Sequence, residues 1–210
     1  TPRGGDGCDT ARVPAIVETT SLVMQFPSTR ALDGPDLAIP SGVPGLVGAK
    51  GAGKTTLISL MLGLLRPTEG SIRVLGLDPG PDGPELRARI GYGPERNVLP
   101  DDMRAYDFVR HLAEVKGLPR DEARTRASDS LYLVGLGEER FRALGTMSTG
   151  RRQRAKLAQA IAHGPELLLL ATSPALAMNI VVGQTGALTA GLLMGALGFI
   201  GRQPVVAGVS

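Results

Sequence analysis

The sequence predicts an α/β fold, and three observations carry the prediction. Val43 to Val47 is a short apolar run that passes through a glycine-rich loop straight into a helix-forming segment. Before it, Val13 to Phe26 is rich in β-branched residues, as strands are. After it, Phe108 to Lys116 and Arg120 to Val134 are peppered with Arg, Glu and Asp in the manner of surface helices, and Leu167 to Leu170 is a wholly apolar strand.

In chain order, Thr1 to Arg12 holds Gly, Asp and Arg with no apolar period and is predicted to be disordered. Val13 to Phe26 is the first strand. Ala31 to Ile39 is a second, with Asp-Gly and Ser41-Gly42 turn signals nearby. These lead to Gly45-Leu46-Val47-Gly48-Ala49-Lys50-Gly51-Ala52-Gly53-Lys54-Thr55-Thr56, where Gly48, Gly53, Lys54 and Thr55 fill the pattern G-x-x-x-x-G-K-[ST]. Gly51 and Gly53 allow φ > 0 and let the backbone approach an anion without a Cβ in the way. The helix starting near Lys54 aims unpaired N–H groups at the same point. Gly48, Ala49, Lys50, Gly51, Ala52, Gly53, Lys54, Thr55 and Thr56 are therefore the candidate phosphate-binding residues. Lys54 would bridge the terminal phosphates and the Thr55 hydroxyl would hold Mg²⁺. A chance match is the plainer alternative in a chain with 29 glycines. The strand before the loop and the helix after it weigh against chance, because the motif requires that context.

Beyond the loop, Leu57, Ile58, Leu60, Met61, Leu64 and Leu65 are apolar on nearly all sides, as in a helix buried beneath a sheet, and Pro67 ends it. Gly70 to Leu77 is a strand, and Pro84 to Arg89 a short helix leading into Ile90-Gly91-Tyr92. The two surface helices follow, separated by Gly117-Leu118-Pro119. The fold so assembled is α/β: a P-loop NTPase core of mostly parallel strands, an antiparallel β layer near residues 13 to 47, and a helical insert near 95 to 147.

Composition excludes several classes. The 23 basic and 20 acidic residues are interspersed and aromatics are 3%, so nucleic acid is not an expected partner. One cysteine, Cys8, excludes a disulfide framework or a Cys-x-x-Cys metal site, and a reducing compartment is expected. No charged-then-apolar secretory signal stands at the amino end.

Met147-Ser148-Thr149-Gly150-Arg151-Arg152-Gln153-Arg154-Ala155-Lys156-Leu157-Ala158-Gln159-Ala160 resembles the signature helix of ABC-transporter ATP-binding subunits. The resemblance covers roughly residues 13 to 170 in the family's order. On its own residues, Ser148 at a helix start, followed by small residues, offers a hydroxyl and bare N–H groups to an anion, and an ordinary N-capped cationic helix reads equally from them. The resemblance implies that Ser148, Thr149 and Gly150 take the γ-phosphate of ATP bound by a second nucleotide-binding subunit in a dimer. It implies ATP and Mg²⁺ as cofactors, a transporter membrane subunit as partner, and a place at the cytoplasmic face of the cell membrane. Phe26 stands where the family has an aromatic that stacks on adenine, and reads equally as a core phenylalanine. Glu95 stands where the family usually has a glutamine contacting Mg²⁺ or water, and reads equally as a solvated or capping acid.

The strand Pro165-Glu166-Leu167-Leu168-Leu169-Leu170 departs from the pattern at its end. In the family it runs into Asp-Glu-Pro, and here into Ala171-Thr172-Ser173-Pro174. Neither Ala171 nor Thr172 can support Mg²⁺ or act as a general base at neutral pH, so no catalytic residue is assigned. Codons GCG-ACG-AGC-CCN for Ala171 to Pro174, read from the last base of the first, would spell Asp-Glu-Pro, which points to a frameshift or a fusion. The family's later switch histidine is also missing, since the histidines are His111 and His163. Asn179 to Ile200 is charge-free and rich in Gly, Ala and Leu, with a small-xxx-small pattern at Gly191 to Gly195, and is expected to be membrane-prone or else a buried Gly-rich helix.

The sequence thus predicts a disordered tail over 1–12, a partial nucleotide-binding domain over 13–172 that is incomplete at its C-terminal side, and an apolar segment over 173–210. Leu167 to Leu170 is expected to lack covering strands and the chain to be marginally stable. The function expected is the energy-coupling, ATP-binding subunit of an ABC transporter of exporter type; the alternative is a non-catalytic nucleotide-binding remnant or fusion product tethered to a membrane.

Overall fold

The computed structural model describes residues 15–41, 45–46, 51–94, 99–170 and 178–181. Two sheets and five α-helices organise them.

The first sheet is antiparallel. Its centre is β1 (Ala15–Phe26), which pairs with β2 (Thr29–Asp33), β3 (Leu37–Pro40) and β5 (Glu69–Val74). Val17 to Thr19 pair with both β3 and β5, and Val23 with both β2 and β5, so β2 and β3 lie end to end along one edge and β5 lines the other. The single strand expected over Ala31 to Ile39 is therefore two strands. The break falls at Pro35, which has no N–H for a ladder. Its carbonyl instead accepts from Thr19 Oγ1 at 2.7 Å, and the same hydroxyl accepts from the Leu37 N–H at 2.9 Å. The expected β layer near 13 to 47 also gains β5 and loses the loop strand to the other sheet.

That second sheet has the order β4-β8-β7-β6, with β4 (Gly45–Leu46), β6 (Ile90–Gly93), β7 (Leu167–Leu170) and β8 (Met178–Val181). β6 and β7 are parallel, pairing Ile90 with Leu167 through Gly93 with Leu170. β8 runs antiparallel to β7 and to β4. The core expected to be mostly parallel is thus mixed among the described residues. The physical reason is chain length: residues 171–177 are too few for the dozen-residue crossover a parallel neighbour needs, but enough for a hairpin. β7, expected to lie uncovered, has a neighbour on each edge. Met178–Val181 belongs to the segment expected to be apolar helix from Asn179, and it starts as strand. The remainder of that segment, Thr1 to Arg12, and Ala171 and Thr172 lie outside the described residues, among which no helix is long and apolar enough to cross a membrane.

β7 reads as four leucines because both its faces are buried. Leu167 and Leu169 join a cluster with Val17, Leu22 and Ile72 of the antiparallel layer, Leu57, Leu60 and Met61 of α1 (Lys54–Met61), and Leu86 of α2 (Gly83–Arg89). Leu168 turns to a second cluster built by α3 (Ala105–Val115), α4 (Arg120–Leu133) and α5 (Thr149–Ile161). Ala105, Val109 and Ala113 of α3 face Ala123, Ala127 and Leu131 of α4, each set at i, i+4, i+8 on one stripe. α1 ends at Met61, short of the expected Leu65. Gly63 takes φ 66°, its N–H donates to the Leu60 carbonyl at 3.0 Å, and the Leu64 N–H donates to the Ser59 carbonyl at 2.8 Å, which closes the helix in a left-handed cap.

Candidate functional site: the phosphate loop and the signature helix

The described half of the loop has the backbone its glycines predict. Gly51 has φ 90° and Gly53 φ 78°. Gly53 is the N-cap of α1 and supplies no side chain to cap it, the first turn holds no acidic residue, and the Leu57 N–H donates to the Gly53 carbonyl at 2.8 Å. The result is a helix start whose leading N–H groups and dipole favour an anion. Gly53 is also fixed sterically: a Cβ there would lie 2.8 Å from Leu32 Cδ2 and closer still to the Ala31 carbonyl. The β1–β2 hairpin is thus the wall behind the loop. Lys54 and Thr56 are half-buried, and Thr55 and Gly51 are exposed. Gly48, Ala49, Lys50 and Glu95 lie outside the described residues.

Phe26 ends β1, pairs with Thr29 across the hairpin, and is partly buried against the first cluster. It therefore does core work while sitting on the hairpin that backs Gly53.

Ser148 stands at the N-cap of α5, as expected, with its carbonyl accepting from the Arg152 N–H at 3.0 Å. Its hydroxyl makes no capping bond to its own helix. Ser148, Thr149 and Gly150 are all exposed, and a Cβ on Gly150 would meet nothing within 4 Å, so this end of the helix is open to a ligand from outside. Lys54 to Thr56 and Ser148 to Gly150 rise from helices of different hydrophobic clusters, and each presents its own uncapped start.

Between the clusters lies a polar junction that the sequence did not disclose. Arg89 donates two hydrogen bonds of 2.7 Å to Glu166, from Nε and Nη2. The pair holds the Glu166 carboxyl below its usual pKa. Lys116 Nζ donates to the carbonyls of Arg87 at 2.7 Å and Ile90 at 3.3 Å. Burial, with Arg87 nearby, pushes the Lys116 pKa down. His163 Nε2 donates to the same Ile90 carbonyl at 3.1 Å. Burial and Lys116 push the His163 pKa down to about 4, so its ring is neutral at pH 7. The elements joined here are separated by dozens of residues in the chain, and no local pattern could pair them.

For Mg²⁺, the exposed Thr55 hydroxyl at the helix start is an oxygen ligand of the right kind, since this ion keeps waters and leans on phosphates as much as on protein. No group of three or more His, Cys, Asp or Glu suited to a metal occurs among the described residues.

A left-handed glycine pair opening into an uncapped helix, set against a β layer and a mixed sheet, defines a P-loop nucleotide-binding domain. The ABC transporter family model matches residues 32–171, and the chain belongs to that family. It is 36% identical over 155 residues to the daunorubicin/doxorubicin resistance ATP-binding protein DrrA of Streptomyces peucetius, a match covering 73% of this chain and 47% of that protein. It is 32% identical over 156 residues to the bacitracin transport ATP-binding protein BcrA of Enterococcus faecalis, covering 74% of this chain and 50% of that one. The chain spans about half the length of these curated relatives. Among solved structures it resembles cbiO1 from Clostridium perfringens, described as part of the ABC transporter complex cbiONQ, with TM-score 0.67 and 27% identity over 75% of this chain and 65% of that one.

Proposed function

We propose that this chain forms the ATP-binding, energy-coupling part of an ABC transporter of exporter type. The observation that carries the proposal is the open start of α1, where Gly51 and Gly53 take positive φ and Lys54 and Thr55 follow at once. Lys54 binds the terminal phosphates and Thr55 holds Mg²⁺, with Phe26 against adenine and Glu95 near the metal. Ser148, Thr149 and Gly150 receive the γ-phosphate of a nucleotide on a second nucleotide-binding subunit. The exporter type is supported by DrrA and BcrA, whose names describe drug resistance and bacitracin transport. A membrane subunit is the remaining partner, and the chain works at the cytoplasmic face of the cell membrane. Its domains are the partial nucleotide-binding domain over 13–172 and the apolar segment over 173–210.

One sequence feature favours a second statement within this reading: the chain holds ATP far better than it hydrolyses it. Ala171 and Thr172 stand where the family has its metal-supporting aspartate and its general base. An Mg-ATP titration beside a phosphate-release assay tests both statements. Saturable binding is expected with turnover at background. Absence of binding overturns the first statement, and ordinary turnover the second.

A further inference from the structure

Asp101 has no role in the phosphate loop, yet it touches the chain on both sides of Ser148. Its carboxylate Oδ1 forms an ion pair with Arg152 Nη1 at 2.7 Å, on the first turns of α5. Its carbonyl accepts from the Gly145 N–H at 2.8 Å, on the segment that leads into that helix. Gly145 is three residues before Ser148 and Arg152 four after it. The fit leaves no slack: a Cβ on Gly145 would lie 2.8 Å from the Asp101 carbonyl oxygen and 2.9 Å from its Cβ.

Neighbouring bonds extend the same contact. The Leu144 N–H donates to the Met103 carbonyl at 2.9 Å, the Ala105 N–H to the Arg142 carbonyl at 3.2 Å, and Arg104 and Ala143 form an antiparallel bridge. On the helix itself, Arg151 pairs with Glu139, and Arg154 Nη1 donates to the Gly135 carbonyl at 3.3 Å. An exposed ion pair taken alone contributes little. Here the Asp101 side chain is 73% exposed but that of Arg152 only 19%, and the same aspartate is tied a second time through its backbone. The ion pair therefore biases the direction of a helix whose approach the backbone contact already fixes.

We propose that Asp101 is a positioning residue for the phosphate-receiving end of α5, orienting Ser148, Thr149 and Gly150 through Arg152 and Gly145. The proposal deepens the reading above and rests on it for the identity of the ligand, a nucleotide phosphate presented by a second copy. The orientation itself is a property of this chain alone. Asp101→Asn keeps the shape and the carbonyl bond and removes the charge of the ion pair.

The test uses the full chain with Asp101→Asn, Asp101→Glu and the charge exchange Asp101→Arg with Arg152→Asp. Hydrogen exchange is followed in residues 145–151 and, as a control, in 57–61 of α1. Mg-ATP affinity and Mg-ATP-dependent self-association are measured in parallel, the latter by sedimentation. Asp101→Asn is expected to speed exchange in 145–151 by about tenfold while sparing 57–61, and to weaken self-association by a similar factor, with ATP affinity unchanged. Asp101→Glu and the charge exchange should recover most of both losses. Unchanged exchange in 145–151 overturns the proposal, as does equal acceleration in 57–61, which would mark a general loss of stability. If the wild-type chain does not associate with Mg-ATP, the reading of the ligand falls, and the exchange result alone upholds or overturns the orienting role.

Discussion

At the residue scale the proposed nucleotide site rests on a single lysine and a single glycine, and they should fail differently. If Lys54 holds phosphate as proposed, Lys54→Ala removes a charge-assisted contact worth about 1.5–3 kcal/mol, so Mg-ATP affinity should fall at least about tenfold with the fold intact. Calorimetric titration with circular dichroism as the control checks both halves, and equal affinity in the two proteins would refute the loop as the site. Gly53→Ala forces a side chain into a left-handed backbone and against Leu32 and the Ala31 carbonyl. It should cost about 2 kcal/mol of stability and weaken binding as well, since the wall and the loop must both shift. Urea unfolding reads the first effect. The turn at Gly51 and Gly53 and the helix start at Lys54 were legible in the sequence because the motif is local. Asp101 and Arg152 were not, because nothing near residue 101 reports what stands fifty positions on.

Elements meet at the polar junction beneath Ile90, and their attachment depends on pH. The folded-state pKa of His163, about 4, lies below its ordinary 6.5, so the unfolded chain takes the proton first. The stabilising contribution is therefore complete above pH 6.5 and is lost as pH falls toward 4. His163 Nδ1 has no partner among the described residues, so a proton there would be buried without an acceptor beside Lys116. Allowing for the ring's partial exposure, about 2 kcal/mol should disappear across that window, and His163→Gln should flatten it. Glu166 obeys the opposite assignment of charge. Its carboxyl is held below its ordinary 4.5 by Arg89, so its contribution is present above that pH and lost as pH falls further. Chemical denaturation at a series of pH values would separate the two, because Glu166→Gln should alter only the lower range. Helices α3 and α4 were legible from their scattered Arg, Glu and Asp, although α3 starts at Ala105 rather than Phe108. The end of α1 and the split between β2 and β3 could not, because Gly63 and Pro35 act through backbone conformation against an otherwise continuous apolar pattern.

For the whole molecule, the proposed loss of turnover and the assembly of the second sheet both concern residues after Leu170. If Ala171 and Thr172 remove the general base as proposed, a factor of about 10²–10⁴ in rate goes with it, and phosphate release should match the Lys54→Ala blank. Ala171→Asp with Thr172→Glu should restore little. A wild-type rate near about 1 s⁻¹ would show that another carboxylate, Glu95 first among them, serves as base. A chain ending at residue 172 should lose ATP affinity along with thermal stability, a combination that calorimetry reads directly. The reason is that β8 fills the space between β4 and β7, pairing Leu46 with Met178 and Leu169 with Ile180. The sequence could not show this, since a Gly-rich apolar run has no period that separates a buried strand from a membrane helix. The arrangement also sets a timetable. Synthesis delivers β4 well before β8, its described neighbour, so until Met178–Val181 emerges the strand that leads to the loop lacks that partner. Nucleotide binding should therefore not be acquired by a nascent chain before β8 has been made, and the growing chain is most exposed to edge-to-edge association in that interval.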